Sequence, residues 1–374
     1  MFDDIRPFVD AEIPDAMQRI AADPHFPTVS RYLFPTVKPS VIGAKLMACR
    51  TVRDFQQQFM YAAVSSVMKQ TTDGVTVEGL ERLSPDKSYL FVSNHRDIVL
   101  DAAFLQVLLE DAGLPTSEIT FGANLMEGQL VTDIGKSNKM FRVERPTTVS
   151  SGREFLERSC YLSEYIRYTI VEKHESVWIA QRNGRTKDGD DRTDRGIINM
   201  FILSGKGSRV EAIADLNLVP IAISYEWEPC DFLKALELYA RSLGQPYIKH
   251  PGEDLNSILT GITQPKGRVH LHVGTPLTAE ELAPLGGLSK AVFTAAVAEK
   301  IDHWIFGAYH LFPNNYIAYD MLHGGTSGAY TDAEKEAFQQ HLSLLAIYDG
   351  AQALREIVLR MYAAPVENVR NCNE

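Results

Sequence analysis

Cysteine is scarce in this sequence, and its four copies lie far apart at Cys49, Cys160, Cys230 and Cys372. They form no Cys-x-x-Cys pair, which argues against a structural zinc site and against a disulfide framework. We therefore expect the protein to work in a reducing compartment.

Long apolar runs are also missing. No window of about 18 apolar residues occurs, so we expect no helix that spans a bilayer. The first six residues, Met1 to Arg6, include Asp3 and Asp4 and lead into no apolar core. We therefore expect no secretory signal peptide. The cytoplasm is the predicted location.

Positive charge is in deficit. The chain has 37 Lys and Arg against 48 Asp and Glu, for a net charge of −11. This argues against a nucleic-acid binder, because such proteins depend on positive charge to neutralise phosphates. A dinucleotide Gly-x-Gly-x-x-Gly, a P-loop and a Gly-x-Ser-x-Gly elbow are absent too.

What the sequence does contain is an alternation of short apolar strands with helices between about residues 74 and 280. This rhythm predicts an α/β fold with a mostly parallel sheet flanked by helices. We expect three parts, which are a helical N-terminal segment at 1–72, an α/β domain at 73–280 and a helical C-terminal region at 281–374, packed on the same domain. The predicted strands are 75–80, 88–93, 119–122, 140–143, 176–180, 218–225 and 268–273.

The stretch from Ser93 to Asp101 organises the rest. Asn94 and His95 follow a buried strand and precede a helix, where open α/β folds usually place their chemistry. A histidine beside an aspartate is the usual general-base pair, because the carboxylate orients the imidazole. Asp97 falls in the first helical turn, where capping already explains an acid. Asp101 interrupts an apolar run, so we expect it to be the partner of His95.

This stretch resembles the first motif of the phospholipid/glycerol acyltransferase family, which reads Asn-His, four residues, then Asp. Here five residues separate His95 from Asp101, and one separates it from Asp97. The resemblance implies that His95 is the catalytic base, that Asp101 or else Asp97 orients it, and that Asn94 helps to stabilise an oxyanion.

Three later stretches resemble further motifs of this family in the family's order. Phe141–Pro146 resembles the second motif and implies that Arg145, or else Arg142, binds the phosphate of the acceptor. Leu218–Ile223 resembles the fourth, in which Pro220 helps to shape the acyl-donor side.

The stretch Trp178–Gly189 resembles the third motif, in which the family has Glu-Gly, a small residue and Arg-Ser. Asn183 replaces the glutamate, and Arg185 follows Gly184 directly. The implied substrate-binding residues of this loop are Arg182, Asn183, Gly184, Arg185 and Lys187.

Taken together, the resemblance implies transfer of a fatty acyl group from a thioester of coenzyme A or acyl carrier protein to a glycerol 3-phosphate or lysophospholipid-type acceptor. It implies no cofactor, and partners limited to these substrates and transient contact with the inner face of the membrane. Two alternatives stay open. One is an acceptor that is an amino-acid-containing or other unusual lyso-lipid, and the other is a non-catalytic lipid- or phosphate-binding homologue.

One pair of side chains stands apart from these motifs. His270 and His272 alternate along the last predicted strand and so share one face, as a metal-binding pair would. Their neighbours in the sequence supply no third ligand, and a His-Glu-x-x-His motif is absent. From the sequence we expect no metal site.

Overall fold

The structure is a computed structural model that describes residues 2–126, 128–144, 151–244 and 247–373. These residues form one sheet of seven strands with helices on both faces. The predicted α/β class with a mostly parallel sheet is confirmed. In chain order the strands are β1 (Gly74–Glu78), β2 (Leu90–Ser93), β3 (Glu118–Gly122), β4 (Met140–Val143), β5 (Val177–Ala180), β6 (Leu218–Tyr225) and β7 (Arg268–Val273).

The order of strands across the sheet is β1-β7-β6-β2-β5-β3-β4. All neighbouring pairs are parallel except β6 and β7, which run antiparallel. As a result β1 and β7 run against the other five strands. The parallel strands β2 to β6 bring their carboxyl ends to a common edge, where ligands bind in open α/β sheets.

Pro220 is the third residue of β6, a central strand, whereas prolines favour strand starts and edges. Its position is tolerated because the register between β6 and β7 begins one residue later, at Ile221 and Val273. On the β2 side Pro220 is level with Val92. Residue type alone predicts a strand start or an edge at this proline, and that prediction is wrong.

The N-terminal segment is helical. Pro14 and Pro27 each lie in a first helical turn, where a missing N–H costs nothing, so Pro27 starts a helix and does not break one. A π-helical turn at Gln56–Met60 joins the last two helices of the segment. The helices are α1 (Ile13–Ala22), α2 (Phe26–Leu33), α3 (Pro39–Ala48), α4 (Val52–Phe55) and α5 (Tyr61–Thr71).

Further helices cover the sheet and connect its strands. They are α6 (Leu100–Asp111), α7 (Gln129–Ser137), α8 (Gly152–Arg167), α9 (Arg195–Leu203), α10 (Arg209–Ala214), α11 (Asp231–Ser242), α12 (Glu253–Thr263) and α13 (Ala279–Leu282). Residues of α5 and α6 pack on one face of the sheet, while residues of α8, α9 and α14 (Lys290–Gly307) pack on the other.

The C-terminal region is also helical, with α14 (Lys290–Gly307), α15 (Pro313–His323), α16 (Asp332–Ser343) and α17 (Ala351–Asn373). The apolar periodicity predicts helices at 289–308, 332–346 and 348–362. Helix α15 has no counterpart among them, and α17 continues through Pro365 well past residue 362. Across the described ranges, none of the helices combines the length and the apolar character that a membrane span requires.

Candidate active site

The candidate site lies where β2 ends. Residues 94–99 form a loop, and α6 begins at Leu100, later than its predicted start. His95 belongs to this loop and is only 9% exposed. Its Nδ1 lies 2.9 Å from Asp101 Oδ2, and its ring stands edge-on to Trp178. The predicted contact between His95 and Asp101 is thus present, and the loop takes up the extra residue of the motif.

Asp101 is a buried carboxylate held from several sides. Its Oδ2 also accepts the backbone N–H groups of Arg96 and Asp97 at 2.7 and 2.9 Å. Its Oδ1 accepts the hydroxyl of Tyr225 at 2.8 Å. Burial, aided by the charge of Asp101, raises the pKa of Tyr225 well above its usual value, so this hydroxyl stays protonated. A carboxylate fixed in this way places the imidazole proton on Nδ1 and leaves Nε2 as the basic nitrogen.

Asp97 has a different role. Its Oδ1 accepts the backbone N–H groups of Val99 and Leu100 at 2.9 and 2.8 Å, which is the geometry of a helix cap. The side chain is buried against α12, where a Cβ added to Gly261 would come within 2.1 Å of Oδ2. The expectation that Asp97 turns toward backbone amides is confirmed.

Asn94 is engaged in holding the sheet and the loop together. Its Nδ2 donates to Asp191 Oδ2 at 2.9 Å and to the carbonyl of Ile223 at 3.0 Å, while its Oδ1 accepts the N–H of Ile223. Both amide hydrogens are therefore in use. Because an oxyanion needs a donor aimed at it, this geometry does not favour the oxyanion role predicted for Asn94.

A buried ion-pair network lies beneath the histidine loop. Arg96 donates to Asp191 Oδ2 through Nε and Nη2, at 3.0 and 2.7 Å, and to Glu228 at 3.2 Å. Lys234 bonds both Glu228 and the carbonyl of Arg96. Burial alone would raise the pKa of Asp191, but the Arg96 charge lowers it overall. The network fixes the backbone on either side of His95, because removing one partner would leave a buried charge uncompensated.

A cavity of about 580 Å³ opens beside His95. It lies between α8, α9 and the carboxyl ends of β3, β4 and β5, and its volume is in the range of ligand pockets. Most of its wall is apolar. The apolar lining includes Ile98, Phe121, Leu125, Val143, Phe155, Leu156, Leu162, Trp178, Ile179, Ile197, Met200 and Leu203. Such a wall suits a hydrocarbon chain.

The family model described as Acyltransferase matches residues 74–224, which include β1 to β5, all but the last residue of β6 and all residues of the four motifs. The chain carries an acyltransferase domain. Among solved structures, the chain is similar to the crystal structure of the 1-acyl-sn-glycerophosphate (LPA) acyltransferase, PlsC, from Thermotoga maritima. The identity is 14% over 78% of this chain and 94% of that chain, with a TM-score of 0.35. A comparison with curated proteins found no match.

Three arginines and two acidic residues, Glu144 and Asp194, line the cavity of the acyltransferase domain. Arg142, Arg158 and Arg182 line it, together with Asn183 and Gly184. Arg142 pairs with Glu144 at 2.8 Å, and the Arg182 Nη1 donates to the carbonyl of Asp190 at 3.3 Å. Three of the predicted substrate-binding residues of the third motif therefore meet Arg142 of the second motif at one cavity.

Other predicted residues lie elsewhere. The described residues that line the cavity do not include Arg185, Lys187 or Pro220. Lys187 forms an ion pair with Glu237 on α11. Arg185 lies near Cys230, where it counteracts the rise that burial causes in the pKa of that thiol.

Pro220 is buried in β6, and its backbone carbonyl accepts the N–H of Gly274 at 2.9 Å. Its predicted substrate role thus has no support from its position. Arg145 lies outside the described residues.

Several residues of the candidate site were missed by sequence reasoning. Tyr225 contacts Asp101 from 124 residues away in the chain, and Asp191 contacts Asn94 from 97 residues away. Tyr309, from the C-terminal region, donates to Asp191 Oδ2 at 2.6 Å. Arg158 lies on α8, outside every motif. The one available signal was Arg96, since an arginine between His95 and Asp97 needs a nearby counter-charge if it is buried.

Proposed function

We propose that the protein moves a fatty acyl group from an acyl thioester of coenzyme A or acyl carrier protein to a hydroxyl of a glycerol 3-phosphate or lysophospholipid-type acceptor. One observation carries this proposal. A histidine whose Nδ1 is held by a buried aspartate lines a cavity that is apolar on most of its wall and also carries three arginines. A base, a hydrocarbon site and an anion site are what the reaction requires.

In the proposed reaction His95 Nε2 takes the proton of the acceptor hydroxyl while that oxygen attacks the thioester carbonyl. The tetrahedral intermediate collapses as its C–S bond breaks, and the imidazolium returns the proton to the leaving thiol. Asp101 stabilises the imidazolium that forms in between. The products are an ester and a free thiol, with no covalent acyl-enzyme.

The oxyanion of the intermediate needs donors other than those first expected. The backbone N–H groups of Arg96, Asp97, Val99 and Leu100 already donate to the two aspartates. Asn183, which lines the cavity and is exposed, is the amide that we assign to hydrogen bonding with the substrates. It is uncharged, so lyso-lipids with an amino-acid head group belong among the acceptors to be tested.

The direct test is release of free thiol from an acyl thioester in the presence of each candidate acceptor. Coenzyme A and acyl carrier protein thioesters are compared as donors, with glycerol 3-phosphate, lysophosphatidate and an amino-acid lyso-lipid as acceptors. We expect release that depends on one acceptor class and yields an acylated product by mass spectrometry. Release no faster than without enzyme, for all acceptors, would instead support a binding protein without catalysis.

Arg182→Ala should raise KM for a phosphate-bearing acceptor by roughly 10- to 100-fold, because a charge-assisted hydrogen bond contributes about 1.5–3 kcal/mol. KM for the acyl donor should change little. Steady-state kinetics with each substrate varied in turn provides the measurement. Arg360→Ala is the matched control, since Arg360 is exposed on α17 and pairs only across one helical turn with Glu356. A rise confined to the KM of the acyl donor would contradict the assignment.

We also propose that the protein works in the cytoplasm and visits the inner face of the membrane. Phe155 and Leu156 on α8 line the cavity and are 37% and 53% exposed, so this side can accept a lipid tail from a bilayer. Because the net charge of −11 repels anionic lipid as a whole, binding should be weak and local. Cosedimentation with vesicles of neutral and anionic composition checks this, and Phe155→Ser with Leu156→Ser should reduce it.

A further inference from the structure

A cluster of possible metal ligands lies on β1 and β7, at the far side of the sheet order from β4. The register of these parallel strands sets Thr76 beside His270 and Glu78 beside His272. Register partners and alternate residues point to the same face, so all four side chains share it. Ligand atoms of Glu78, His270 and His272 lie within 4.8 Å of one another.

This cluster is separate from the candidate active site. On β6 the residues level with His272 and His270 are Ala222 and Ser224. They alternate with Ile223 and Tyr225, and Tyr225 turns to the opposite face, where its hydroxyl donates to Asp101. Asp101 therefore lies on the face of the sheet opposite the cluster, and the described residues that line the cavity include none of the three ligands.

We propose that Glu78, His270 and His272 form a binding site for a divalent transition-metal ion, for which zinc is the expected occupant. Two imidazoles and one carboxylate are a donor set that zinc takes with a water molecule in the fourth position. Imidazole nitrogen also selects against magnesium, which prefers an all-oxygen shell. The sequence could not supply the third ligand, because Glu78 is brought to the pair only by the strand register.

The surroundings of the two imidazoles fit this role. The Thr76 hydroxyl lies 2.8 Å from His270 Nδ1, as outer groups that orient a metal-ligating ring commonly do. His272 is set edge-on against Trp304, which restricts its ring.

Access and local charge fit as well. Glu78 is exposed and His272 is half-buried, while His270 is buried, so an ion can reach the cluster from the side of Glu78. His310 lies on the other side of His270, with ring centroids 5.0 Å apart. A bound ion would join β1 to β7 by side chains in addition to their backbone ladder. We therefore expect zinc to stabilise the folded state, because it binds a geometry that the unfolded chain lacks.

Equilibrium dialysis of the purified, metal-stripped protein against ZnCl2, with bound zinc quantified by mass spectrometry, tests the proposal. Wild type should bind one more equivalent than Glu78→Gln or His272→Ala, or bind it at least 10- to 100-fold more tightly, a loss no smaller than that of an outer-sphere group. An excess of MgCl2 should not displace it. Zinc should also raise the Tm of wild type and not that of the variants.

His303→Ala and Glu280→Gln are the matched controls, because both residues are exposed and lie outside the cluster. They should bind zinc as wild type does. Glu78→Gln keeps the size of an exposed side chain, so it should fold even if His272→Ala does not. Equal zinc stoichiometry and affinity in wild type, Glu78→Gln and His272→Ala would overturn the proposal, and so would loss of binding in the controls.

Discussion

His95→Ala should lower thiol release by at least about 10²- to 10⁴-fold, the usual contribution of a general base. The loss should appear in kcat, because alanine cannot take the hydroxyl proton whether or not the substrates bind. Stopped assays with saturating donor and acceptor measure it.

The fold should survive this change. Asp101, which loses one partner, keeps the N–H groups of Arg96 and Asp97 and the hydroxyl of Tyr225. Its buried charge therefore stays hydrogen-bonded, and we expect a Tm within a few degrees of wild type.

His25→Ala is the matched control for His95→Ala, since His25 is exposed in the N-terminal segment. It should retain full activity. Activity of His95→Ala within tenfold of wild type would contradict the base assignment, provided that a Tm measurement shows both variants to be folded.

The part of the site that the sequence predicts best is the part that is local in the chain. Asp101 interrupts an apolar run, and a buried carboxylate needs a partner. Because only five residues separate Asp101 from His95, the histidine was the partner that the sequence could predict. Asp97 was likewise predictable as a cap, because capping depends on the first helical turn alone. Both inferences concern contacts within one loop and one turn of α6.

Long-range contacts account for what sequence reasoning missed. Asn94 looked available for an oxyanion because its partners, Ile223 and Asp191, lie about a hundred residues away. Lys187 looked like a phosphate ligand until α11 supplied Glu237. A sequence pattern gives the residue type and its periodicity, but it does not give the partner that a distant element brings.

Strand direction was a similar gap. Alternating strands and helices predicted a mostly parallel sheet, and that holds for β2 to β6. The alternation of residues in β7 is the same whichever way the strand runs. Its sequence therefore could not indicate that β7 is antiparallel to β6. The grouping of Glu78 with His270 and His272 depends likewise on the pairing of β1 with β7, which explains why it became visible only in the fold.

The choice of carboxylate gives the second large expected effect. Asp101→Asn should lower kcat/KM by roughly 10²- to 10⁴-fold, as loss of the orienting carboxylate does in comparable His-Asp pairs. Asn can keep one oxygen toward the backbone N–H groups and turn its NH2 to Tyr225, so geometry is largely retained. What disappears is the negative charge that stabilises the imidazolium.

Asp97→Asn should instead change kcat/KM by less than about tenfold. The asparagine oxygen can still accept from Val99 and Leu100, and asparagine caps a helix about as well as aspartate does. Its charge has a different neighbour, Lys266, whose pKa burial lowers to about 8 although Asp97 acts to raise it. Loss of the Asp97 charge should therefore favour the neutral form of Lys266. We expect this to lower the Tm while changing the activity little.

The two variants form a matched pair, since each replaces one buried carboxylate of the same loop and first helical turn by its isosteric amide. Measuring Tm beside kcat/KM separates chemistry from folding, because a structural effect moves both in proportion. We expect the larger rate loss in Asp101→Asn and at least as large a Tm change in Asp97→Asn. If Asp97→Asn were the slower enzyme at equal stability, Asp101 would be a structural residue, and the contact at 2.9 Å would only position the ring of His95.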